Sequence, residues 1–301
     1  MNMEQSYRKL ADRMDENSRH VEQALEKYMS RTDKDYGVIF DAQRYSLLGG
    51  GKRVRPFLVN ECAIALGGDT EKSMPLACAV EMIHTYSLIH DDLPCMDDDD
   101  MRRGKPSNHV RFGYANALLA GDALLTNAFR VIGEASSIDA ETKAKAVALL
   151  AFAAGECGMI GGQIIDLMGE KCKLDFETLL RLHAHKTGAL IRVSAQLGCL
   201  AAGYGTYSEE AKALTEYAEK IGLAFQVVDD ILDATATEEQ LGKSVGSDAD
   251  SNKTTFLSFY SVEQARAYAE RLTEEAITAV SHVENSEVLT DLACFLLDRK
   301  S

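Results

Sequence analysis

The chain has 301 residues, of which 46% are hydrophobic, and a formal net charge of −15. This length and hydrophobic content suffice for a large core, and no linker, repeat or low-complexity tract marks a boundary. We therefore expect a single domain over 1–301. The acidic charge argues against nucleic-acid binding, which needs a basic surface. An anionic substrate must be bound by local cations, because the overall electrostatic field opposes it.

The N-terminal segment and the cysteines favour a soluble, cytoplasmic protein. Residues 1–20 are charged throughout, which is not the pattern of a signal peptide. The longest apolar run, 146–155, is too short to span a bilayer, so we expect no stable membrane insertion. The seven cysteines are scattered without a CxxC pair, as is typical of reduced thiols in the cytoplasm.

Helical periodicity runs through nearly the whole chain, and we find no convincing alternating strand. Pro106 is the last of four prolines, and the chain beyond it is rich in Ala, Leu, Glu and Lys, which favour helix. Glycine or proline ends most of the periodic segments. In chain order, the predicted helices are 3–30, 38–48, 53–66, 73–92, 113–132, 138–154, 157–169, 175–202, 208–233, 261–283 and 287–298. The pattern predicts an all-α protein with ten or more helices.

The segment 113–125 is dense in small residues, which permit close helix approach. A helix that is apolar on more than one face lies either at the centre of a bundle or against a second subunit. We therefore expect a homodimer.

An aspartate cluster, Asp91-Asp92-Leu93-Pro94-Cys95-Met96-Asp97, follows the predicted helix 73–92. Asp91 and Asp97 are six residues apart and do not share a face of a regular helix. The helix must break near Pro94 for both carboxylates to reach one ion, since proline is disfavoured inside a helix. The three aspartates after Asp97 are interpreted as a solvated charge run. Carboxylate oxygens are hard ligands that suit Mg²⁺ better than zinc.

A second cluster, Asp229-Asp230-Ile231-Leu232-Asp233, ends the helix 208–233. Gln226, Asp229 or Asp230, and Asp233 recur at helical spacing and form one polar stripe. Such a stripe can be a plain solvated surface. Here its flanks are apolar, so the carboxylates emerge from a buried environment, and buried charges need a partner or a metal. Cations follow both clusters: Arg102 and Arg103 after the first, Lys243 and Lys253 after the second.

Three further features are candidates for binding an anion. His84 lies seven residues before Asp91 on the same helix face, and both a core role and a substrate contact stay open. Helix 175–202 carries a core-facing stripe made of Leu179, His183, Lys186-Thr187, Leu190 and Leu197. Lys186 therefore points inward, where a lysine normally meets an anion or a carbonyl. The sequence Gly49-Gly-Gly-Lys-Arg-Val-Arg55 places three cations, Lys52, Arg53 and Arg55, at a glycine-rich helix start, which is a possible phosphate site.

Together these motifs resemble the trans-isoprenyl diphosphate synthase family, and specifically its bacterial farnesyl diphosphate synthase branch. The resemblance runs essentially from end to end. Its motifs are at 50–56, 81–106, 185–188, 225–233, 242–243 and 252–253. It implies the all-α isoprenoid (terpenoid) synthase fold: a single large helical bundle around a deep central cavity, in a homodimer.

The resemblance also implies roles for individual residues. Asp91 and Asp97 would hold two of about three Mg²⁺ ions per active site, and Asp229 the third, all shared with the allylic diphosphate. The residues implied in catalysis are Arg102, Lys186, Thr187 and Gln226. The residues implied in binding isopentenyl diphosphate and the allylic diphosphate are Gly51, Lys52, Arg55, His84, Arg102, Arg103, Lys186, Thr187, Gln226, Lys243 and Lys253. The C-terminal sequence Asp-Arg-Lys-Ser departs from the family, which puts a tail contact to substrate in doubt.

The expected reaction is the condensation of isopentenyl diphosphate with dimethylallyl and geranyl diphosphate, giving (E,E)-farnesyl diphosphate. Tyr86 and Ser87 are expected to limit product length. Tyr86 lies roughly 7 Å deeper than Asp91 along the helix, at about 1.5 Å per residue. Its ring is either ordinary core packing or the floor beneath the growing chain, and the resemblance favours the floor. Alternatives are a geranylgeranyl diphosphate synthase, a terpene cyclase, a non-catalytic partner subunit of a heteromeric synthase, and a plain divalent-cation binder.

Overall fold

The computed structural model describes residues 3–235 and 253–299. Its first helices are α1 (Met3–Tyr28), α2 (Gly37–Leu47), α3 (Val54–Ala65), α4 (Thr70–Asp91), α5 (Asn108–Phe112), α6 (Tyr114–Glu134), α7 (Ala140–Ala154) and α8 (Met159–Gly169). The chain continues with α9 (Phe176–His183), a π-helical turn (Ala184–Gly188), α10 (Ala189–Ala201), α11 (Glu209–Thr235), a short 3₁₀ turn (Phe256–Ser258), α12 (Val262–Ala279) and α13 (Glu287–Asp298). The all-α prediction is confirmed.

The structure adds one very short hairpin to the predicted helices. Two-residue strands, β1 (Met101–Arg102) and β2 (Lys105–Pro106), pair antiparallel directly after the first aspartate cluster. Gly104 turns the chain between them with φ of +71°. A strand of two residues is too short to show an alternating pattern, so the sequence carries no signal for it.

Two helix predictions also needed correction. Helix α4 begins at Thr70 instead of 73, because the Asp69 carboxylate accepts a hydrogen bond from the Glu71 amide at 2.9 Å and caps an earlier turn. The predicted helix 175–202 contains the π-helical turn 184–188, where the backbone widens locally. Such turns occur mostly as single insertions in α-helices and frequently at functional sites.

Helix α4 lies at the centre of the bundle and packs against α3, α6 and α10. Most of its side chains are buried, on all faces, until its last turns. A helix that is apolar all round is stable only when other helices surround it. The C-terminal end of α4 carries the first aspartate cluster, and the C-terminal part of α11 carries the second.

Residues 140–169 are long and apolar enough, by composition, to be a candidate membrane span. A turn over 155–158 divides them into α7 with 15 residues and α8 with 11 residues. At about 1.5 Å per residue, α7 reaches about 23 Å, which is less than the roughly 30 Å hydrocarbon core of a bilayer. We therefore interpret this stretch as two helices of the bundle.

Candidate active site

The first aspartate cluster forms a compact turn after α4. The helix ends at Asp91, and the Asp97 amide donates to the Asp91 carbonyl at 2.9 Å, so the chain folds back on itself. The predicted break near Pro94 is confirmed. Burial raises the pKa of Asp91 to about 6; Lys186 opposes this rise, and the neighbouring Asp97 adds to it. Nearby cations therefore offset only part of the cost of burying the Asp91 charge.

Asp92 and the hairpin hold the two arginines that follow the cluster. The Arg102 guanidinium donates to the buried Asp92 carboxylate, at 2.9 Å from Nε. Arg103 donates to the Gly50 carbonyl. Its guanidinium fills the space beside Gly51, where a Cβ would lie 2.8 Å from Arg103 Cζ. Gly51 has φ of +128°, a conformation that favours glycine, and its missing side chain leaves room for the Arg103 guanidinium. The hairpin therefore joins the glycine-rich loop to the first cluster.

One cavity of about 480 Å³ is strongly cationic. It is lined by five predicted site residues, Gly51, Lys52, Arg55, His84 and Arg103, and by apolar residues of α10, α11 and α13. Burial lowers the pKa of His84 well below its usual value, and the surrounding arginines lower it further. Burial also lowers the pKa of Arg55. Burial and mutual repulsion make these positive charges unfavourable without a counter-ion. The cavity is therefore a site for an anion.

Arg53 also lines this cavity, but its charge is already paired, which corrects the interpretation of the glycine-rich motif as three available cations. Its side chain is buried and donates to Glu81 at 2.5 Å and to the Leu47 carbonyl at 2.6 Å. Its charge is therefore neutralised within the core, and it anchors the glycine-rich loop to α4.

A second cavity of about 380 Å³ is mostly apolar. Tyr86 and Ser87 both line it, and Asp91, Lys186 and Thr187 supply polar groups. Its other walls include Met96, Met159, Ile160, Ile164, Leu167 and Leu190. Arg55 and His84 also line the cationic cavity, so the two cavities adjoin. An apolar chamber with charged groups at one side fits a molecule with a hydrocarbon tail and an anionic head.

The Tyr86 ring is almost fully buried and packs edge-to-face against His90, with the ring centroids 5.7 Å apart. His90 in turn lies in a notch on α6, where a Cβ at Gly121 would lie 2.1 Å from its Nε2. The ring of Tyr86 is therefore braced from α6.

The π-helical turn lies between the two clusters. Lys186 Nζ is 2.5 Å from Asp166 Oδ2, and Lys253 Nζ is 3.4 Å from the same oxygen. Burial would raise the pKa of Asp166, but the two lysines hold it below its usual value. Asp166 was not among the site residues predicted from the sequence. Its available signal was an aspartate within the otherwise apolar helix 157–169.

The second cluster is organised around Gln226 and Asp229. Gln226 Oε1 lies 3.2 Å from Thr187 Oγ1, and Nε2 donates to Asp229 Oδ2 at 3.3 Å. Asp230 accepts from the Phe256 amide at 2.7 Å, and Asp233 is buried. The helix stripe predicted from the sequence is thus divided, with Asp230 and Asp233 facing the interior.

Arg299, near the C-terminus, forms an ion pair with Asp229 and was also missed. Its guanidinium lies over the Phe225 ring, 3.8 Å from the centroid, and donates to the Phe225 carbonyl at 3.0 Å. The pKa of Lys52 is lowered by burial and by Arg299, while Asp229 opposes the change, so these three groups lie close together. The end of the chain therefore reaches the second cluster.

Within 3–235 and 253–299, no three Asp, Glu, His or Cys side chains form a ready-made metal site. Mg²⁺ takes one or two carboxylates and completes its shell with water and phosphate oxygens, so it needs no such group. Asp91, Asp97 and Asp229 offer oxygen donors only. The raised pKa of Asp91 and the guanidinium at Asp229 both indicate carboxylates that attract a cation. These residues fit Mg²⁺. Lys243 lies outside the described residues.

Residues 37–292 match the polyprenyl synthetase family, and the chain belongs to this family. It is 45% identical over 285 residues to a geranylgeranyl diphosphate synthase of Cyanophora paradoxa, covering 93% of both chains. It is 44% identical over 277 residues to a farnesyl diphosphate synthase of Geobacillus stearothermophilus, covering 91% of both.

Solved structures of the same family are also similar to this chain. An FPP/GFPP synthase from Zymomonas mobilis superimposes with a TM-score of 0.86 at 35% identity, covering 97% of this chain and 99% of that one. A geranylgeranyl pyrophosphate synthetase from Pyrococcus horikoshii has a TM-score of 0.88 at 32% identity, with the same coverage. The fold is that of the isoprenoid synthases, and the protein is a trans-prenyltransferase acting on isopentenyl and allylic diphosphates.

Proposed function

We propose that this protein is a farnesyl diphosphate synthase, which condenses isopentenyl diphosphate with dimethylallyl and then geranyl diphosphate. The observation that carries the proposal is the buried Tyr86 ring in the wall of the apolar cavity whose polar side holds Asp91 and Lys186. A bulky, braced ring at this depth limits the length of a chain anchored at Asp91. The competing product is geranylgeranyl diphosphate, which the name of the Cyanophora relative favours.

The allylic diphosphate is bound at the face between the two clusters. Asp91 and Asp97 would hold two Mg²⁺ ions and Asp229 the third, with Lys186, Lys243, Lys253 and Arg102 as additional cations. Bound Mg²⁺ supplies positive charge that stabilises the departing diphosphate. Lys186 and Lys253 share Asp166, which orients both ammonium groups on one side of the site.

Isopentenyl diphosphate is bound in the cationic cavity. Lys52, Arg55, His84 and Arg103 line it, together with the backbone of Gly51. Because this cavity adjoins the apolar one, the double bond of isopentenyl diphosphate can approach the allylic carbon from the side of Arg55 and His84. A terpene cyclase has no use for this second anion site, which disfavours that alternative.

In the reaction the allylic C–O bond breaks, a new C–C bond forms to the double bond, and a proton is lost. Thr187 and Gln226 present oxygen dipoles that stabilise the allylic cation without attacking it. The apolar walls exclude water, which would quench the cation. Among the described residues of the site, no side chain is placed as an obvious base, so the released diphosphate takes the proton. A non-catalytic subunit is disfavoured, because both aspartate clusters are kept.

The chain is further proposed to be one domain and to act as a cytoplasmic homodimer. Large apolar side chains on α6, α7 and α8 are exposed in the single chain; they are Leu118, Leu119, Phe152, Ile160, Ile164 and Met168. Exposed apolar side chains concentrated on neighbouring helices support a second subunit at this face.

The test is incubation of the purified protein with Mg²⁺, labelled isopentenyl diphosphate and dimethylallyl diphosphate, followed by sizing of the products. A fifteen-carbon main product supports the proposal. A twenty-carbon main product supports the alternative synthase. Absence of condensation in the presence of Mg²⁺ would contradict both.

A further inference from the structure

Three neighbours hold the side-chain amide of Gln226. Thr187 Oγ1 and His183 Nδ1 each lie 3.2 Å from Gln226 Oε1, and Gln226 Nε2 lies 3.3 Å from Asp229 Oδ2. An ionised carboxylate accepts hydrogen bonds but cannot donate them. The amide nitrogen must therefore face Asp229, and the amide oxygen must face His183 and Thr187. His183 Nδ1 then carries the proton and donates it, which defines the tautomer.

The imidazole of His183 is itself fixed. It ends α9, directly before the π-helical turn, and only 9% of the residue is exposed. Its ring stacks on Phe256 with a centroid distance of 5.5 Å and an interplanar angle of 19°. Its Nε2 is buried and has no hydrogen-bond partner among the described residues. Burial lowers the pKa of His183 to about 4, so the ring is neutral at physiological pH.

We propose that His183 is a positioning residue that holds the Gln226 amide with its oxygen toward Thr187, and so toward the allylic cavity. The inference rests on the proposed function, in which Gln226 and Thr187 stabilise the allylic cation. Rotation about the last bond of a glutamine has broad, roughly two-fold minima, so little intrinsic preference opposes a reversal of the amide. The reversed amide would point its positive end at the cation and its oxygen at Asp229.

The consequence is an effect on the transition state alone. His183 does not line either substrate cavity, so we expect its loss to leave substrate binding nearly unchanged. Positive charge develops on the allylic carbon only during ionisation. An interaction made only in the transition state changes kcat and leaves KM unaltered.

Three substitutions separate this role from simple packing. The amide nitrogen of Asn in His183→Asn can take the place of Nδ1, whereas His183→Gln places its amide near the position of Nε2. His183→Phe keeps a stacking ring and has no donor. We expect kcat to fall about tenfold in the Gln and Phe variants, to stay within about threefold of wild type in the Asn variant, and KM for both substrates to stay unchanged.

A folding check and a double-mutant comparison separate the proposed role from a loss of folding. If the Phe variant is unfolded by circular dichroism, the Asn and Gln variants, which are both polar, still decide. Equal kcat values in these two would overturn the proposal, as would wild-type kcat in a folded Phe variant. In a Gln226→Ala background, His183→Gln should have no further effect, and an additive loss would also overturn the proposal.

The tautomer provides a readout that is independent of activity. Nitrogen-15 NMR of the histidine rings at pH 7 should show His183 protonated at Nδ1 and unprotonated at Nε2. Protonation at Nε2 would overturn the proposal even in an active enzyme. A protein that forms no product but shows the expected tautomer would instead contradict the proposed function.

Discussion

Replacing Tyr86 with alanine removes a ring that is 95% buried, since 5% of the residue is exposed. The ring lies about 7.5 Å before Asp91 along α4, at about 1.5 Å per residue, so it meets a growing chain after a fixed number of carbons. Its removal joins new space to the cavity of about 380 Å³. We expect the Tyr86→Ala enzyme to make products of twenty carbons or more.

The expected cost in stability is about 3 kcal/mol, as is typical when a buried aromatic side chain is replaced by alanine. The value lies at the lower end of that range for two reasons. The lost ring partly borders a cavity, and the Tyr86 hydroxyl has no hydrogen-bond partner among the described residues. Chemical unfolding monitored by circular dichroism measures this cost. The variant remains testable if it is folded at the assay temperature.

Tyr86→Phe is the matched control. It keeps the ring and removes a hydroxyl that is buried without a partner, so we expect an unchanged product and equal or greater stability. Products are sized by mass spectrometry after hydrolysis of the diphosphates. An active Tyr86→Ala enzyme whose main product is still farnesyl diphosphate would refute the assignment of Tyr86 as the floor.

Three other predictions concern the charged groups. Asp91→Ala and Asp229→Ala should each lower kcat by at least about a hundredfold, because the transition state loses electrostatic stabilisation. Turnover within a few-fold of wild type in either variant would reject the metal assignment. Mg²⁺ and diphosphate together should raise the melting temperature by more than the sum of their separate effects, because each completes the other's binding site. Strictly additive shifts in melting temperature would indicate two separate sites. The free energy of unfolding should fall by about 2.5 kcal/mol between pH 6.5 and pH 4 through His183. Its folded-state pKa of about 4 lies below its ordinary 6.5, so the unfolded chain binds the proton first. Urea unfolding should therefore show a smaller acid-induced loss in His183→Asn, and an equal loss would contradict the buried, neutral histidine.

The sequence predicted the features that depend on local chemistry. Proline after Asp92 required the helix to end, and α4 ends at Asp91. The residues of the two clusters were identified because carboxylates at the ends of apolar helices are conspicuous in any sequence. The lining of the apolar cavity by Ser87 and Asp91 follows from helix periodicity, since these residues lie one turn apart on α4.

The partners of these residues could not be predicted, because they come from distant parts of the chain. Arg53 pairs with Glu81, 28 residues away, and this pairing neutralises its charge at the wall of the anion site. Arg299 reaches Asp229 across 70 residues. The π-helical turn was not predicted either, since Ala184–Gly188 continues a regular helical pattern in the sequence. Long-range ion pairs and local widening are properties of the packed bundle.

The most direct test of the proposed product specificity uses farnesyl diphosphate itself as the allylic substrate. The purified protein is incubated with Mg²⁺, labelled isopentenyl diphosphate and either geranyl or farnesyl diphosphate, and the rates of condensation are compared. If the Tyr86 ring closes the apolar cavity, geranyl diphosphate is extended to farnesyl diphosphate and farnesyl diphosphate is not extended. Efficient formation of geranylgeranyl diphosphate from farnesyl diphosphate would contradict the assignment as a farnesyl diphosphate synthase.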